Sequence, residues 1–189
     1  MSLLRPGATV GLFLLLLGMA CGCSRPPYSS TSTTTSRVFV SRDGMLHYRL
    51  PMGWFDATAD SQAVGHEVLL LRSDYAATIA VNEIRVDPQA RRQLERGGLL
   101  QLAQLTMGLA GGGTPVVLQQ SPELFVLNGR QFCAYELIIS GARDVLRVVL
   151  FDTGTKVYAV HALVPGDKAR NTADDVFAVQ QDFLDGLRW

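Results

Sequence analysis

Short segments in which apolar and polar residues alternate cover much of the chain, and this pattern predicts β-strands joined in hairpins. Residues 38–40 and 45–50 flank an Arg42-Asp43-Gly44 turn, and Asp-Gly between apolar segments favours a tight hairpin. A second hairpin is predicted from residues 67–72 and 78–86, because these segments are rich in β-branched residues.

A helix is predicted after the second hairpin. Asp87 is a candidate N-cap, and Pro88 occupies the first helical position. Spacings of three and four residues define one helix face, formed by Leu94, Gly98, Leu102, Leu105 and Leu109. The Gly97-Gly98 pair costs the helix about 2 kcal/mol relative to alanines, so the helix either divides there or begins near Gly98. The glycine run 111–113 is a flexible connector that ends the helix.

The second half of the chain predicts an antiparallel meander and a C-terminal helix. Strands are expected at residues 114–120, 125–127, 131–140, 144–151 and 156–163, with Asn128-Gly129 as a two-residue hairpin turn. Thr172 is expected to cap the last helix, with Asp175 as its capping-box partner. The buried face of that helix is formed by Val176, Val179, Phe183 and Leu187. The expected fold class is therefore α+β, an antiparallel sheet with a middle helix and a C-terminal helix packed on it.

The first residues differ from the rest of the chain. Arg5 precedes an apolar stretch from Val10 to Ala20. About 11 residues at ~1.5 Å each reach only about half of a ~30 Å hydrocarbon core, which is too short for a transmembrane helix. A basic residue followed by a short apolar stretch that ends in small residues instead predicts an export signal.

Met19-Ala20-Cys21 closes this stretch and resembles the lipobox of bacterial lipoproteins. In that family the cysteine sulfur receives a diacylglycerol, the signal is cut before the cysteine, and the new amino group is usually acylated. The resemblance implies a lipoprotein signal peptide over residues 1–20 and lipidation of Cys21. Cys23 is the alternative acceptor, and a plain signal peptide or an unprocessed anchor is the competing interpretation.

Residues 21–36 are expected to be a disordered tether. Proline, serine and threonine dominate this segment, which lacks the apolar side chains that offset the entropy of ordering. The remaining residues 37–189 suit a single domain. At roughly 150 residues, such a domain buries enough surface to be stable without disulfide or metal crosslinks.

The charge and cysteine content of the chain disfavour two classes, nucleic-acid-binding proteins and disulfide-stabilised domains. Lys+Arg and Asp+Glu number 17 each, so the formal net charge of +0 offers no electrostatic argument for nucleic acid. Cys133 is the one cysteine within residues 37–189, which excludes a disulfide framework. A bridge from Cys23 stays open, but the apolar strand around Cys133 favours a buried thiol.

The opening hairpin runs into Leu50-Pro51-Met52-Gly53-Trp54, and this segment resembles the entry of the Mog1/PsbP-like superfamily. The later order of hairpin, helix, meander and C-terminal helix is also similar to that superfamily over residues 37–189. The resemblance implies an αβα sandwich and a non-enzymatic accessory or interaction protein. No residue set marks its photosystem or Ran-binding branches, so neither role is transferred.

Two features of the chain have both an enzymatic and a structural interpretation. Asp152-Thr153-Gly154 after an apolar strand resembles the motif of aspartic proteases, whose chemistry needs two carboxylates that share a proton. The chain contains the motif once, and Asp-Thr-Gly is also an ordinary hairpin turn. Cys133 as a nucleophile with His161 is disfavoured, because thiols inside strands are usually inert.

Other residues are expected to serve packing or solvation. His47, His66 and His161 lack the helical spacing of a metal site, although the fold could still assemble one. Arg91, Arg92 and Arg96 form a basic patch, interpreted as a solvated helix face rather than a headgroup or partner contact. The large aromatic residues Trp54, Phe55 and Trp189 are expected in the core, with exposure to a partner as the alternative.

These observations predict a non-catalytic accessory or interaction module of the bacterial cell envelope. The lipid anchor would hold it to a membrane with the domain outside the cytoplasm. Its partner would be another envelope protein, and no cofactor or metal is expected. The alternative is a binding module for a small apolar or lipidic ligand, and a hydrolase is the third hypothesis. A large closed apolar cavity would favour the ligand module, and an exposed apolar patch would favour the interaction module.

Overall fold

The computed structural model describes residues 34–60, 65–110 and 113–189. Its strands are β1 (Thr34–Val40), β2 (His47–Pro51), β3 (Trp54–Asp56), β4 (Val68–Arg72), β5 (Thr78–Ile84), β6 (Val116–Leu127), β7 (Arg130–Ile139), β8 (Asp144–Asp152) and β9 (Val157–Val164). Its helices are α1 (Pro88–Ala110) and α2 (Ala169–Gly186).

Seven of these strands form one antiparallel sheet in the order β3-β4-β5-β9-β8-β7-β6. The strands β1 and β2 form a separate antiparallel hairpin. Because strands in sequence pair mostly with their neighbours, short turns make most of the connections, as the alternating pattern predicts. The α+β class with an antiparallel sheet is confirmed.

Helices cover both faces of the large sheet. On one face, the β1–β2 hairpin and α2 bury a core that includes Tyr48, Phe177 and Phe183. On the other face, α1 packs over β6, β7 and β8 and contributes Leu99 and Ala103 to the buried layer. The sheet is therefore sandwiched between two apolar layers, and successive residues of its central strands are buried on alternate sides.

The start of α1 agrees with its predicted cap. The Asp87 carboxylate accepts hydrogen bonds from the backbone N–H groups of Gln89 and Ala90, at 2.8 and 2.7 Å. These bonds satisfy two of the donors that a helix leaves unpaired at its first turn. The Asp87 N-cap is confirmed.

The helix divides at Gly98, as the paired glycines suggested. Gly98 has φ of 67° and ψ of −173°, a conformation essentially restricted to glycine. This break changes the helical register, so the predicted single stripe is wrong beyond it. Leu105 and Leu109 are 63% and 76% exposed. Leu99 and Ala103 instead form the buried face of this part of the helix.

Two other boundaries differ from those predicted. Residues 116–127 form one strand with register shifts near Gln120, rather than two strands. Pro122 is tolerated because β6 lies at the sheet edge, where a missing N–H breaks no ladder bond. Helix α2 begins at Ala169 after Lys168, so Thr172 lies inside the helix and is not its cap.

The extra turn of α2 has a packing cause. Ala169 and Ala173 both pack against the core, so the helix gains apolar burial by starting earlier. The remainder of the predicted α2 face is correct, since Val176, Phe183 and Leu187 are buried.

Near the start of the domain, two short segments that were not predicted as strands belong to strands in the structure. β1 begins at Thr34, so residues 34–36 belong to the hairpin. Trp54 and Phe55 form β3 and pair with β4, which places Trp54 in the core.

One charged side chain lies in the interface between α2 and the sheet. Arg147 is 1% exposed, and its guanidinium donates hydrogen bonds to the side-chain oxygens of Gln180 at 2.8 Å and Gln181 at 3.1 Å. Its Nε lies 3.8 Å from a carboxylate oxygen of Glu136. These contacts help fix the position of α2 over β8 and β9. Across residues 34–60, 65–110 and 113–189, neither helix has the apolar length needed to cross a bilayer.

Candidate functional site

A cavity of about 200 Å³ lies between α1 and the sheet. Its floor is formed by Tyr135, Leu150 and Ala159, which are all buried. Leu109 lies at its mouth, where the side chain is largely exposed to solvent. The register change at Gly98 thus explains why this leucine borders an open cleft and is not part of the core.

One polar wall of this cavity comes from Asn82 and His161, which are distant in sequence. Asn82 on β5 contacts His66 through its Oδ1 and His161 through its Nδ2, the latter at 3.4 Å. His161 lines the cavity on β9. Burial, with a smaller contribution from His66, lowers the pKa of His161 to about 4, so its ring is neutral at pH 7.

The opposite polar wall is a pair of hydroxyl groups. The Thr106 hydroxyl lies 3.0 Å from the Leu102 carbonyl oxygen and 3.3 Å from the hydroxyl of Tyr135. Burial raises the pKa of Tyr135, so its phenol is also neutral. Sequence reasoning missed Asn82, Thr106 and Tyr135 as site residues, because their only signal is a polar group within an apolar pattern.

A second polar cluster joins the first hairpin to β5 and β9. Asp43, Glu67 and Glu83 bring one carboxylate oxygen each within 4.8 Å of one another. Lys156 already occupies this cluster, since its Nζ lies 2.9 Å from Asp43 and 2.8 Å from Glu83. Lys156 therefore links these elements through ion pairs, and with three carboxylates around one ammonium group the cluster keeps a net negative charge.

The pKa of Asp43 follows from this environment. Burial alone would raise it, but hydrogen bonds from Ser41, Tyr158 and Lys156 outweigh that effect and lower the pKa to about 2. The hydrogen bonds to Glu83 and Asp43 in turn raise the pKa of Lys156. The ion pair is thus fully formed at neutral pH.

Asp152-Thr153-Gly154 forms the turn between β8 and β9. The Asp152 carboxylate accepts a hydrogen bond from the Gly154 N–H at 2.8 Å and pairs with Arg91 at 2.6 Å. Thr153 closes the turn with Lys156, and Gly154 has φ of 88°. An ion-paired turn carboxylate explains the motif without protease chemistry.

Cys133 and His161 do not form a nucleophile–base pair. They lie on β7 and β9 with β8 between them, which separates their backbones by roughly 10 Å. Burial raises the pKa of the Cys133 thiol to about 11, so the thiolate is disfavoured at neutral pH.

The remaining candidates lie apart from the cavity. His47 is exposed on β2, where its backbone pairs with Arg188. Arg91 is held by Asp152, so the predicted basic patch is reduced to Arg92 and Arg96. Trp189 stacks on Phe151, with a ring separation of 4.9 Å, and is partly exposed.

The outer strand β6 exposes a series of large apolar side chains. They are Val117, Leu118, Leu124 and Val126. Among the described strands, β6 pairs with β7 on one side and has no neighbour on the other. Such an edge offers unpaired backbone groups together with apolar side chains, a combination that proteins usually avoid leaving uncovered.

The predicted lipidation site is not among the residues that the structure describes. Cys21, the alternative Cys23, the signal peptide and the first part of the tether lie outside the described residues, as do Gly111 and Gly112 of the predicted connector.

Comparison with known proteins places the fold. No protein-family model matches the chain, and no curated protein matches it. Among solved structures, the cyanobacterial PsbP protein CyanoP of Synechocystis sp. PCC 6803 is similar with a TM-score of 0.53 and 11% identity, covering 87% of this chain and 96% of that one. The Ran-binding protein Mog1p of Saccharomyces cerevisiae is similar with a TM-score of 0.54 and 14% identity, covering 84% of this chain and 96% of that one. These likenesses show that the chain has a Mog1/PsbP-like fold.

Proposed function

We propose that this chain is a lipid-anchored protein of the bacterial cell envelope, whose domain is a non-catalytic accessory module that binds another envelope protein. The exposed apolar edge of β6 is the observation that carries the proposal. The cavity under α1 gives no support to a lipid-binding module, because at about 200 Å³ it is too small to enclose an acyl chain.

The anchor part of the proposal rests on sequence. Lipid on Cys21 would hold the chain on a membrane, because each buried CH₂ contributes about 0.8 kcal/mol and two or three chains hold it essentially permanently. β1 begins at Thr34, which leaves the 12 residues 22–33 between Cys21 and the domain. A flexible segment of that length reaches ~20 Å, which is enough to present the domain to a neighbouring complex.

The partner surface follows from the position of β6. The register places Leu118, Leu124 and Val126 opposite Leu137, Cys133 and Gln131, on the face of the sheet that α1 covers. A partner that adds an extended segment to this edge would pair its backbone with β6 and bury these side chains. We therefore assign the partner as a protein with an exposed strand of alternating apolar residues.

A position-specific crosslinking experiment tests this function. A photoreactive residue replaces Val126 in the full anchored chain, expressed in the native host, and Val38 of β1 serves as the matched control. Both valines are about half exposed, at 57% and 51%, but they lie on different sheets. We expect a discrete protein adduct from position 126 and none from position 38.

A charge substitution completes the test. With the photoreactive residue moved to Leu124, Val126→Lys should abolish the partner adduct, because it places an ammonium group in an apolar contact. Val38→Lys should leave that adduct unchanged. Equal adducts from both surfaces, or an adduct at Leu124 that survives Val126→Lys, would contradict the assignment of β6 as the partner surface.

A further inference from the structure

We propose that the cavity between α1 and the sheet is a binding site for a small neutral compound with a single ring and one hydroxyl group. This site is separate from the β6 edge and does not depend on the proposed function. The inference rests on the volume of the cavity, the neutrality of its lining and the hydrogen-bonding groups that remain available in it.

The volume selects the size of the ligand. The cavity measures about 200 Å³, and its floor is made of the side chains of Leu150 and Ala159. An apolar cavity of about 150 Å³ engineered in another protein holds one benzene molecule. The space under α1 is therefore sufficient for one ring with one or two small substituents.

The lining selects a neutral ligand. Its members are apolar, amide, hydroxyl or imidazole side chains, and none is a carboxylate, an ammonium or a guanidinium group. The His161 imidazole is uncharged at pH 7 because its pKa is lowered to about 4. An ionic ligand would lose its hydration without gaining a counter-charge, so the cavity disfavours it.

The hydrogen bonds already formed leave one acceptor available. Thr106 has a single hydroxyl proton, and the carbonyl oxygens of Leu102 and Ala103 accept it at 3.0 and 3.2 Å. The contact with Tyr135 must then be a donation from the phenol to the Thr106 oxygen. The Tyr135 oxygen keeps a lone pair that can accept a proton from a ligand.

The same reasoning leaves one donor available. The Asn82 amide N–H₂ donates to Nδ1 of His161, so the neutral ring carries its proton on Nε2. A ligand hydroxyl is both donor and acceptor, so it can donate to the Tyr135 oxygen or, at the other wall, accept from the Nε2–H of His161. Single-ring phenols combine this group with the apolar body that the floor accommodates.

Methyl-detected NMR of the full chain, with Cys21→Ser and Cys23→Ser to prevent lipid attachment, tests the proposal with p-cresol as the probe. We expect saturable shifts at the methyl groups of Leu109, Leu150 and Ala159. The p-toluate anion should produce none of these shifts at pH 7, and toluene should bind more weakly than p-cresol. Shifts spread over other surfaces, or equal binding of p-toluate, would overturn the proposal.

Matched variants separate the site from general hydrophobic binding. Tyr135→Phe should weaken p-cresol about 5-fold and leave toluene unchanged, because it removes one hydrogen bond. Ala110→Phe should abolish binding by closing the cavity mouth, and this variant does not alter the buried floor. Leu109→Ala should weaken p-cresol, whereas Leu105→Ala should not, since Leu105 is exposed on the same helix but does not line the cavity. The opposite ranking of the two leucine variants would contradict the proposed location.

Discussion

Arg147 is the residue whose burial most constrains the domain. It lies between α2 and the sheet, where it bonds Gln180 and Gln181 and pairs with Glu136. A buried ion pair contributes little relative to well-packed apolar residues, but loss of one partner leaves the other charge in an apolar interface.

We expect Arg147→Met to lower the free energy of unfolding by about 3–5 kcal/mol, because it leaves the Glu136 carboxylate buried without this cation. Urea titration followed by circular dichroism measures the change. The double variant Arg147→Met/Glu136→Leu should recover most of that loss. A double variant as unstable as the single one would show that the hydrogen bonds to α2, rather than the charge pair, are responsible.

His161 should make stability depend on pH. Its pKa is lowered to about 4 in the folded protein from the usual value of 6.5, so the unfolded chain binds more protons between these values. Stability is therefore fully present above about pH 6.5 and falls as the pH decreases to about 4. At ~1.4 kcal/mol per pKa unit, the loss is up to about 3 kcal/mol.

The His161→Phe variant should lose this dependence, measured as the free energy of unfolding at intervals from pH 7 to pH 4. His47→Gln is the control, because His47 is exposed and that variant should retain the decline. Asp43 does not interfere, since its lowered pKa of about 2 removes stability only below its usual value of 3.8. An unchanged slope in His161→Phe would contradict the assignment.

Among the elements, α1 depends most on a single backbone conformation. Gly98 has φ of 67° and no neighbouring atom within 4 Å of an added Cβ, so the effect of a substitution there comes from the backbone. Gly108 lies in the same helix without a positive φ and is equally free of contacts. The two glycines therefore form a matched pair.

We expect Gly98→Ala to destabilise the protein by about 1–3 kcal/mol, because the residue must occupy a conformation that alanine rarely adopts. Gly108→Ala should instead stabilise it by about 0.5–1 kcal/mol, since alanine is the better helix former. Thermal unfolding of both variants measures the difference. Stabilisation by both substitutions would contradict a division of α1 at Gly98.

Elements set by local chemistry were predictable from the sequence. The Asp43-Gly44 and Asn128-Gly129 turns, the Asp87 cap and the break at Gly98 all depend on residues adjacent in the chain. The continuity of β6 through Pro122 was not predictable, because it depends on a place at the sheet edge. The early start of α2 likewise depends on tertiary packing of its alanines.

The candidate cavity illustrates the same limit. Asn82 and His161 are 79 residues apart, and their contact exists only because β5 pairs with β9. A single polar residue in a strand gives no indication of its partner across a sheet. Sequence reasoning therefore identified the histidines as candidates and could not bring two of them together.

For the molecule as a whole, we propose that lipid on Cys21 would anchor a Mog1/PsbP-like domain to a membrane through the residues that precede β1. The domain exposes apolar side chains along the edge strand β6, and the anchor would restrict its encounters to partners at the same membrane. A small contact area at β6 is then sufficient for binding, because tethering to one membrane raises the effective concentration of the two proteins.

Intact-mass analysis of the protein extracted from the membranes of its native host shows whether Cys21 carries lipid. We expect a chain that begins at Cys21 and carries a diacylglycerol on its sulfur, with extraction that requires detergent. A chain with unmodified sulfur at both Cys21 and Cys23 that is released by washing would contradict the account.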